Sequence, residues 1–346
     1  MTSKIKVLVT SGLGILVILF GSYQIPAVQD GIFRLIALRA INVDFGESDN
    51  LRVFVCGTAS PLGNTPERAQ ACIAIVTPDH FYVFDAGAGS SARLVGAGLP
   101  MERLDGIFLT HFHSDHISDL PAMTLNSWVQ GRSTPLQVFG PAGINQITEG
   151  FNLAYVQDRR YRTEHHGSDL LPNHLGNLKA HPFEPGIVLE EKGLTVTAFT
   201  VEHDPVVPAV GYRIDYQGRS VVISGDSIVS DRTFELASNT DLLFHDALSP
   251  TALMPMIEAF DTLGRDRLVK VMRDVMDYHA DVKALEIASA AANVKQLVLY
   301  HMVPTPVNPL LLKLWKRDLE ASTIIANDNM VFELPSSDRS IRISHE

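Results

Sequence analysis

The run Thr110-His111-Phe112-His113-Ser114-Asp115-His116 places three imidazoles and a carboxylate within a few positions of one another. In an extended segment alternate side chains project to one side, so His111 and His113 share a direction while Asp115 and His116 turn toward a second position. One loop can therefore seed two metal sites. Paired catalytic metals, held about 3.5 to 4 Å apart, need further ligands and a bridging anion. His203, Asp226 and His301 are of the right type, and each closes an apolar run: LTVTAFTVEH, SVVISGD and QLVLYH. A lone histidine is more often an ordinary hydrogen-bonded residue, so the weight rests on the set.

For these side chains to meet, the runs that end in them must be strands of a common core. LRVFVC (51–56), CIAIVT (72–77), FYVFD (81–85) and GIFLT (106–110) read as strands separated by Gly and Pro turns, and LQVFG, VGYRIDY, DLLFHD and MVFEL continue the pattern. HISDLPAMTLNSWVQG reads as a helix interrupted early by Pro121, and VKALEIASAAANV (282–294) as an amphipathic helix. The order is mixed α/β with helices outside sheets. Between Gly143 and His203, the cluster Tyr155, Arg159, Arg160, Tyr161, Arg162, His165 and His166 reads as a solvated surface loop, with a rim that attracts an anionic substrate as the second reading.

The chain has 346 residues, 46% hydrophobic and 19% charged, which excludes collagen-like, coiled-coil and wholly disordered classes. A formal net charge of -11 argues against nucleic acid as a partner. Between Lys6 and Asp30 no charge occurs, and Val7 to Val28 is long enough to span a bilayer. With Lys4 and Lys6 before it, the positive-inside rule sets the rest of the chain on the extracytoplasmic, periplasmic side, as a membrane-anchored domain or one secreted after signal cleavage. The expected organisation is an anchor or signal over 1–29, a connecting amphipathic segment over 30–47 and one α/β domain over 48–346. Cys56 and Cys72 lie near the ends of an expected antiparallel pair, and their bonding stays open.

The order His-x-His-x-Asp-His, His203, Ser-Gly-Asp226-Ser, His301 resembles the metallo-β-lactamase superfamily of dinuclear zinc hydrolases, and within it the ribonuclease Z and arylsulfatase-like branch. Phe84-Asp85-Ala86-Gly87 is similar to that branch's first motif, and Phe139-Gly140-Pro141-Ala142-Gly143 to its Gly-Pro-x-Gly turn. His203 with Gly211-Tyr212-Arg213 is similar to the third-motif region, Phe244-His245-Asp246-Ala247 to the His-Glu-Ala segment, and His279 to the second histidine motif.

The resemblance, which covers roughly residues 50 to 335, implies an α/β fold, a four-layer α-β-β-α sandwich, here with an N-terminal hydrophobic helix. It implies two Zn2+ per chain: one on His111, His113 and His203, the other on Asp115, His116 and His301, with Asp226 bridging. A hydroxide held between the metals is then the nucleophile, because zinc lowers the pKa of bound water to about 7. Asp115 would also orient that nucleophile, and His279 would protonate the leaving oxygen. Asp85, His245 and Asp246 would support the ligands, Asp85 foremost. In ribonuclease Z enzymes an RNA-gripping arm separates the Gly-Tyr-Arg and Gly-Asp strands, whereas here residues 212–220 make a simple hairpin. The expected function is thus hydrolysis of a phosphodiester, sulfate ester or related small, anionic ester. The alternative is ribonuclease Z-type tRNA 3′ processing, followed by lactonase or β-lactamase-like hydrolysis and a metal-free binding module. Substrate-binding residues and oligomeric state stay open, with a dimer compatible.

Overall fold

Strands buried on both faces lose the alternation of polar and apolar residues, and five strands here do so. In β2 (Cys72–Val76), β3 (Phe81–Phe84), β4 (Gly106–Phe108), β10 (Arg219–Ile223) and β11 (Leu242–Leu248) every residue is buried. With β1 (Leu51–Gly57), β5 (Leu136–Gly140), β6 (Leu178–Pro182), β7 (Gly186–Glu191), β8 (Leu194–Thr200), β9 (Val210–Tyr216), β12 (Gln296–Val303), β13 (Ile324–Ile325), β14 (Met330–Leu334) and β15 (Arg342–His345) they build two sheets in the computed structural model, which describes residues 24–41, 50–62, 65 and 67–345. One sheet has the order β15-β14-β1-β2-β3-β4-β5-β6 and the other β13-β12-β11-β10-β9-β8-β7. Strands β3 to β6 run parallel, as do β10 to β13.

The inner faces of the two sheets share one core, in which Val53, Ile73, Phe84 and Phe108 meet Val196, Tyr212, Val221 and Phe244. Phe84, Phe108 and Phe139 stack in series at centroid distances of 5.0 and 4.5 Å. The outer face of the first sheet packs on helices. These follow α1 (Pro26–Ile41) in the chain: α2 (Ser90–Gly96), α3 (Ser114–Ile117), α4 (Leu120–Val129) and α5 (Ile144–Ala154), the packing residues being Leu94, Leu120, Met123 and Ile144. After α6 (Val156–His166), the second sheet is covered by α7 (Asp231–Leu236), α10 (Val282–Ala291) and α11 (Pro309–Trp315) through Phe234, Leu285 and Trp315. Between them α8 (Pro250–Thr262) and α9 (Asp266–Asp274) form a hairpin with its own apolar cluster, Leu253, Ile257, Val269 and Met272. The result is a mixed α/β fold with helices outside two facing sheets.

The chain divides into two units, Met1–Asp44 and Phe45–Glu346. In the first, α1 is 16 residues long and its sequence carries Asp30, Arg34 and Arg39. Among the described residues no helix is long and apolar enough to cross a membrane. Of the expected span at Val7 to Val28, residues 7–23 lie outside the described residues.

Three local readings change. Pro121 does not interrupt a helix but opens one: it sits in the first turn of α4, where its missing N–H has no partner to lose. The stretch expected as a loop after Gly143 is two helices, α5 and α6. Tyr161, His165 and His166 are exposed on α6, while Arg159 turns inward and donates from Nη2 to the Asn152 carbonyl at 2.7 Å. Cys56 and Cys72 form a buried disulfide with Cα atoms 4.9 Å apart. The hairpin between β9 and β10 is as short as expected, with only Gln217 and Gly218 at its tip.

Candidate metal centre and active site

Strand β4 lies between β3 and β5, and the main-chain bond from Leu109 N to Phe139 O carries the pairing one residue past its end. The loop that follows is tied at both ends by Asp85. This residue stands just after β3 with φ 60°. Its carboxylate accepts from Thr110 N at 2.8 Å and Thr110 Oγ1 at 2.9 Å, and from His116 Nδ1 at 2.8 Å. His116 thereby turns Nε2 toward the centre. Helix α3 begins immediately after His113 and brings Asp115 and His116 inward, both buried.

The segments that follow β8 and β10, with His203 and Asp226, and the C-terminal part of β12, with His301 inside the strand, converge on that loop. His111, His113, His203 and Asp226 form one group of ligand atoms lying within 4.8 Å of each other, and Asp115, His116, Asp226 and His301 form another. Asp226 belongs to both: its Oδ2 is 3.4 Å from His116 Nε2 and His301 Nε2, 3.9 Å from His203 Nε2 and 4.0 Å from His111 Nε2. Asp115 Oδ2 lies 2.9 Å from His301 Nε2. Asp226 follows Gly225, whose φ of 67° disfavours a side chain and whose close approach to Thr110 leaves no room for one; a Cβ there would sit 2.8 Å from Thr110 Cβ.

The donor set fits a divalent cation such as zinc. His116 Nε2, His203 Nε2 and Asp226 Oδ1 are buried polar atoms without a hydrogen-bond partner, a costly arrangement that a cation among them would relieve. Burial pushes the His111 imidazole well below its ordinary pKa and lowers those of His113 and His203, which favours the neutral, lone-pair-bearing form that ligates metals. Burial would raise the pKa of Asp226, but His301 and His116 outweigh it and hold the carboxyl well below the usual range. Asp115 is likewise drawn down to about 2, its burial overcome by His116 and His301. Both carboxylates are therefore anionic at neutral pH.

Around this set sits a supporting layer. His203 Nδ1 donates to the Tyr278 carbonyl at 3.1 Å, and Thr110 Oγ1 is 3.0 Å from His111 Nδ1. Asp246, at the end of β11, receives His279 Nδ1 on Oδ2 at 2.9 Å and Ser227 N on Oδ1 at 3.1 Å. His245 Nδ1 lies 2.9 Å from Asp246 and its ring stacks on Phe234, so it backs Asp246 rather than touching a ligand histidine. Asp85 thus holds His116, and Asp246 holds both His245 and His279.

Two cavities open on the centre. One, about 230 Å³, is lined by Asp115, His279 and His301 and by an apolar wall of Pro61, Leu62, Val275 and Val303. The other, about 450 Å³, is lined by His203, Asp204, Pro205, Val271, Asp274 and Asp277. His113 and Tyr278 border both. Neither Tyr278 nor the wall at 61–62 stands out in the sequence; the nearest signal is that Tyr278 precedes His279.

A β-lactamase superfamily domain model matches residues 80–302, a span holding every residue of the two ligand groups. A Ribonuclease Z from Mycobacterium avium is 32% identical over 260 residues, 74% of this chain and 88% of the relative. The metallo-β-lactamase fold protein YhfI from Bacillus subtilis superposes with a TM-score of 0.59 at 21% identity over 82% of this chain and all of that one. The short form of human tRNase Z gives 0.55 at 20% identity over 81% of this chain and 98% of its own. Two expectations are overturned here. A small-ester partner in preference to nucleic acid conflicts with relatives whose name denotes RNA cleavage; net charge is a mean-field quantity that a local site overrides. A membrane-bound, extracytoplasmic or secreted placement conflicts with the same relatives, whose name denotes RNA cleavage. The matched domain, the convergent histidines and aspartates and the likeness to ribonuclease Z together make this chain a member of the metallo-β-lactamase superfamily and a metal-dependent hydrolase.

Proposed function

We propose that the chain is a dinuclear zinc phosphodiesterase of ribonuclease Z type that trims RNA at a tRNA 3′ end. The observation that carries this reading is the sequence likeness to Ribonuclease Z over 88% of that relative's length. The two ligand groups that meet at Asp226 support it. His111, His113 and His203 would hold one ion, Asp115, His116 and His301 the other, and Asp226 both. When bound, zinc supplies Lewis acidity and a nucleophile available at neutral pH.

The chain's own residues do the rest. Asp115 faces the 230 Å³ cavity and orients the attacking water. His279 faces the same cavity; because a carboxylate can only accept, its Nδ1 carries the proton shared with Asp246, and its Nε2 is left to serve the leaving oxygen. Burial would raise the pKa of Asp246, but bonds from His245 and His279 keep it low and anionic, so that it holds Nδ1–H of a doubly protonated His279 ring whose Nε2–H is the proton given to the leaving oxygen. Without an arm between β9 and β10, the RNA is met by the mouth itself.

The test is incubation of the zinc-loaded chain with a tRNA precursor bearing a 3′ trailer. Site-specific trailer removal leaving a 3′ hydroxyl is expected. Intact precursor under conditions where the same preparation hydrolyses a chromogenic phosphodiester would overturn the reading.

A further inference from the structure

The two cavities on the centre differ in chemistry. The smaller is walled by Pro61, Leu62, Val275 and Val303, and His279 stands in it. The larger carries Asp204, Asp274 and Asp277 on its rim. Asp274 is paired with Lys270 at 2.5 Å, but among the described residues neither Asp204 nor Asp277 is in an ion pair. No Lys or Arg lines either cavity among the described residues. Tyr278 is the partition: its ring meets His203 edge-on at 5.0 Å and lies 4.9 Å from the His279 ring.

We infer that this mouth sorts the two sides of the scissile bond, taking the leaving group into the apolar lobe beside His279 and the retained substituent into the acid-rimmed lobe, and so selects substrates whose retained side is short and weakly charged. The inference deepens the proposed function and rests on it only in taking a phosphodiester as the bond cleaved. In an in-line displacement the attacking and leaving oxygens are roughly opposite on phosphorus, and the retained ester oxygen lies between them. A leaving group placed beside His279 therefore sends the retained substituent out by the other opening. Water adds to phosphorus, the bond to the leaving oxygen breaks, His279 gives that oxygen a proton, and the proton lost by the water restores His279. Any further phosphate on the retained side faces Asp204 and Asp277 with no cation of the rim to offset the repulsion.

A chromogenic pair tests this on the zinc-loaded full chain: the p-nitrophenyl ester of thymidine 5′-phosphate, and the same ester bearing a 3′-phosphate. In both, p-nitrophenol leaves and the nucleoside is retained. The added phosphate should lower kcat/KM by about 3- to 10-fold at low ionic strength, narrowing toward parity at about 0.5 M salt. In the double variant Asp204→Asn, Asp277→Asn the ratio between the two esters should shrink at least by half. Equal or better turnover of the 3′-phosphorylated ester by the wild-type chain, or an unchanged ratio in the double variant, would overturn the sorting. RNA left intact while the ester ratio is as expected overturns the RNA reading alone; RNA cleaved without an ester preference overturns the sorting alone.

Discussion

His279 is held by a bond to Asp246 at 2.9 Å, which would orient it as the proposed proton donor without making it a ligand. Replacing His279 by Ala should slow substrates with poor leaving groups by about 10²- to 10⁴-fold, and those with good leaving groups far less. Kinetics across a leaving-group series measure this, and an equal loss across the series would reduce His279 to a structural residue. Asp85 plays the corresponding part for His116, so Asp85→Asn should weaken metal affinity by about 10- to 100-fold, read by competition with a chelator. Unaltered affinity would contradict that role. At this scale the sequence is most legible where chemistry is repetitive: His111, His113, Asp115 and His116 declare themselves by spacing. Asp85 and Asp246 are legible only through the motifs they sit in, and Tyr278 not at all, since what it does depends on which ring and which carbonyl happen to lie beside His203.

Strand ends do the positioning. Asp226 is delivered by a turn that only glycine fills, because Gly225 combines φ 67° with contact against Thr110 and the Val210 carbonyl. Gly225→Ala should destabilise the fold by about 1 to 3 kcal/mol from backbone strain and displace Asp226. A lowered denaturation midpoint together with reduced metal content would be expected; a variant as stable and as metal-rich as the parent would refute the assignment. Strands such as β4 and β11 are legible because a buried strand reads as a short apolar run. Helix α6 is not, since VQDRRYRTEHH has no apolar stripe and turns only Arg159 fully inward. The α8–α9 hairpin contains no motif, yet it leads directly into Tyr278 and His279. Its contribution rests on packing between distant segments, Leu62 and Val303 among them, which no local pattern encodes.

The two sheets are clamped at the far side of the molecule by Arg219, on β10. Its fully buried guanidinium bonds Asp241 at 3.0 Å and donates to the carbonyls of Pro335, Asp338 and Ser340, in the segment joining β14 to β15 of the other sheet. Arg219→Met leaves Asp241, among the described residues, with only Lys295 as a cationic partner and should cost about 3 to 5 kcal/mol. Burial would raise the Asp241 pKa, but its bonds to Arg219 and Lys295 outweigh this and hold it below the ordinary carboxylate value. A depressed carboxylate stabilises the fold above its unfolded pKa of about 3.9, and that contribution is lost as pH falls through the folded value. The Tm advantage of the wild type over Asp241→Asn should therefore be full at neutral pH and shrink below about pH 4. A constant gap would contradict it.

Sheet order and the parallel pairing of β3 to β6 could not be read from single runs, because they are set by contacts across the whole chain, whereas the side chains that gather into the two groups could be named from their spacing. That set makes one claim above the others: two metal sites that share Asp226. Elemental analysis of the zinc-saturated chain, beside its Asp226→Ala variant, tests it most directly. Close to two zinc ions per chain are expected in the parent and loss from both sites in the variant; one ion or none in the parent, or a variant that sheds a single ion and keeps full activity, would refute the shared bridge.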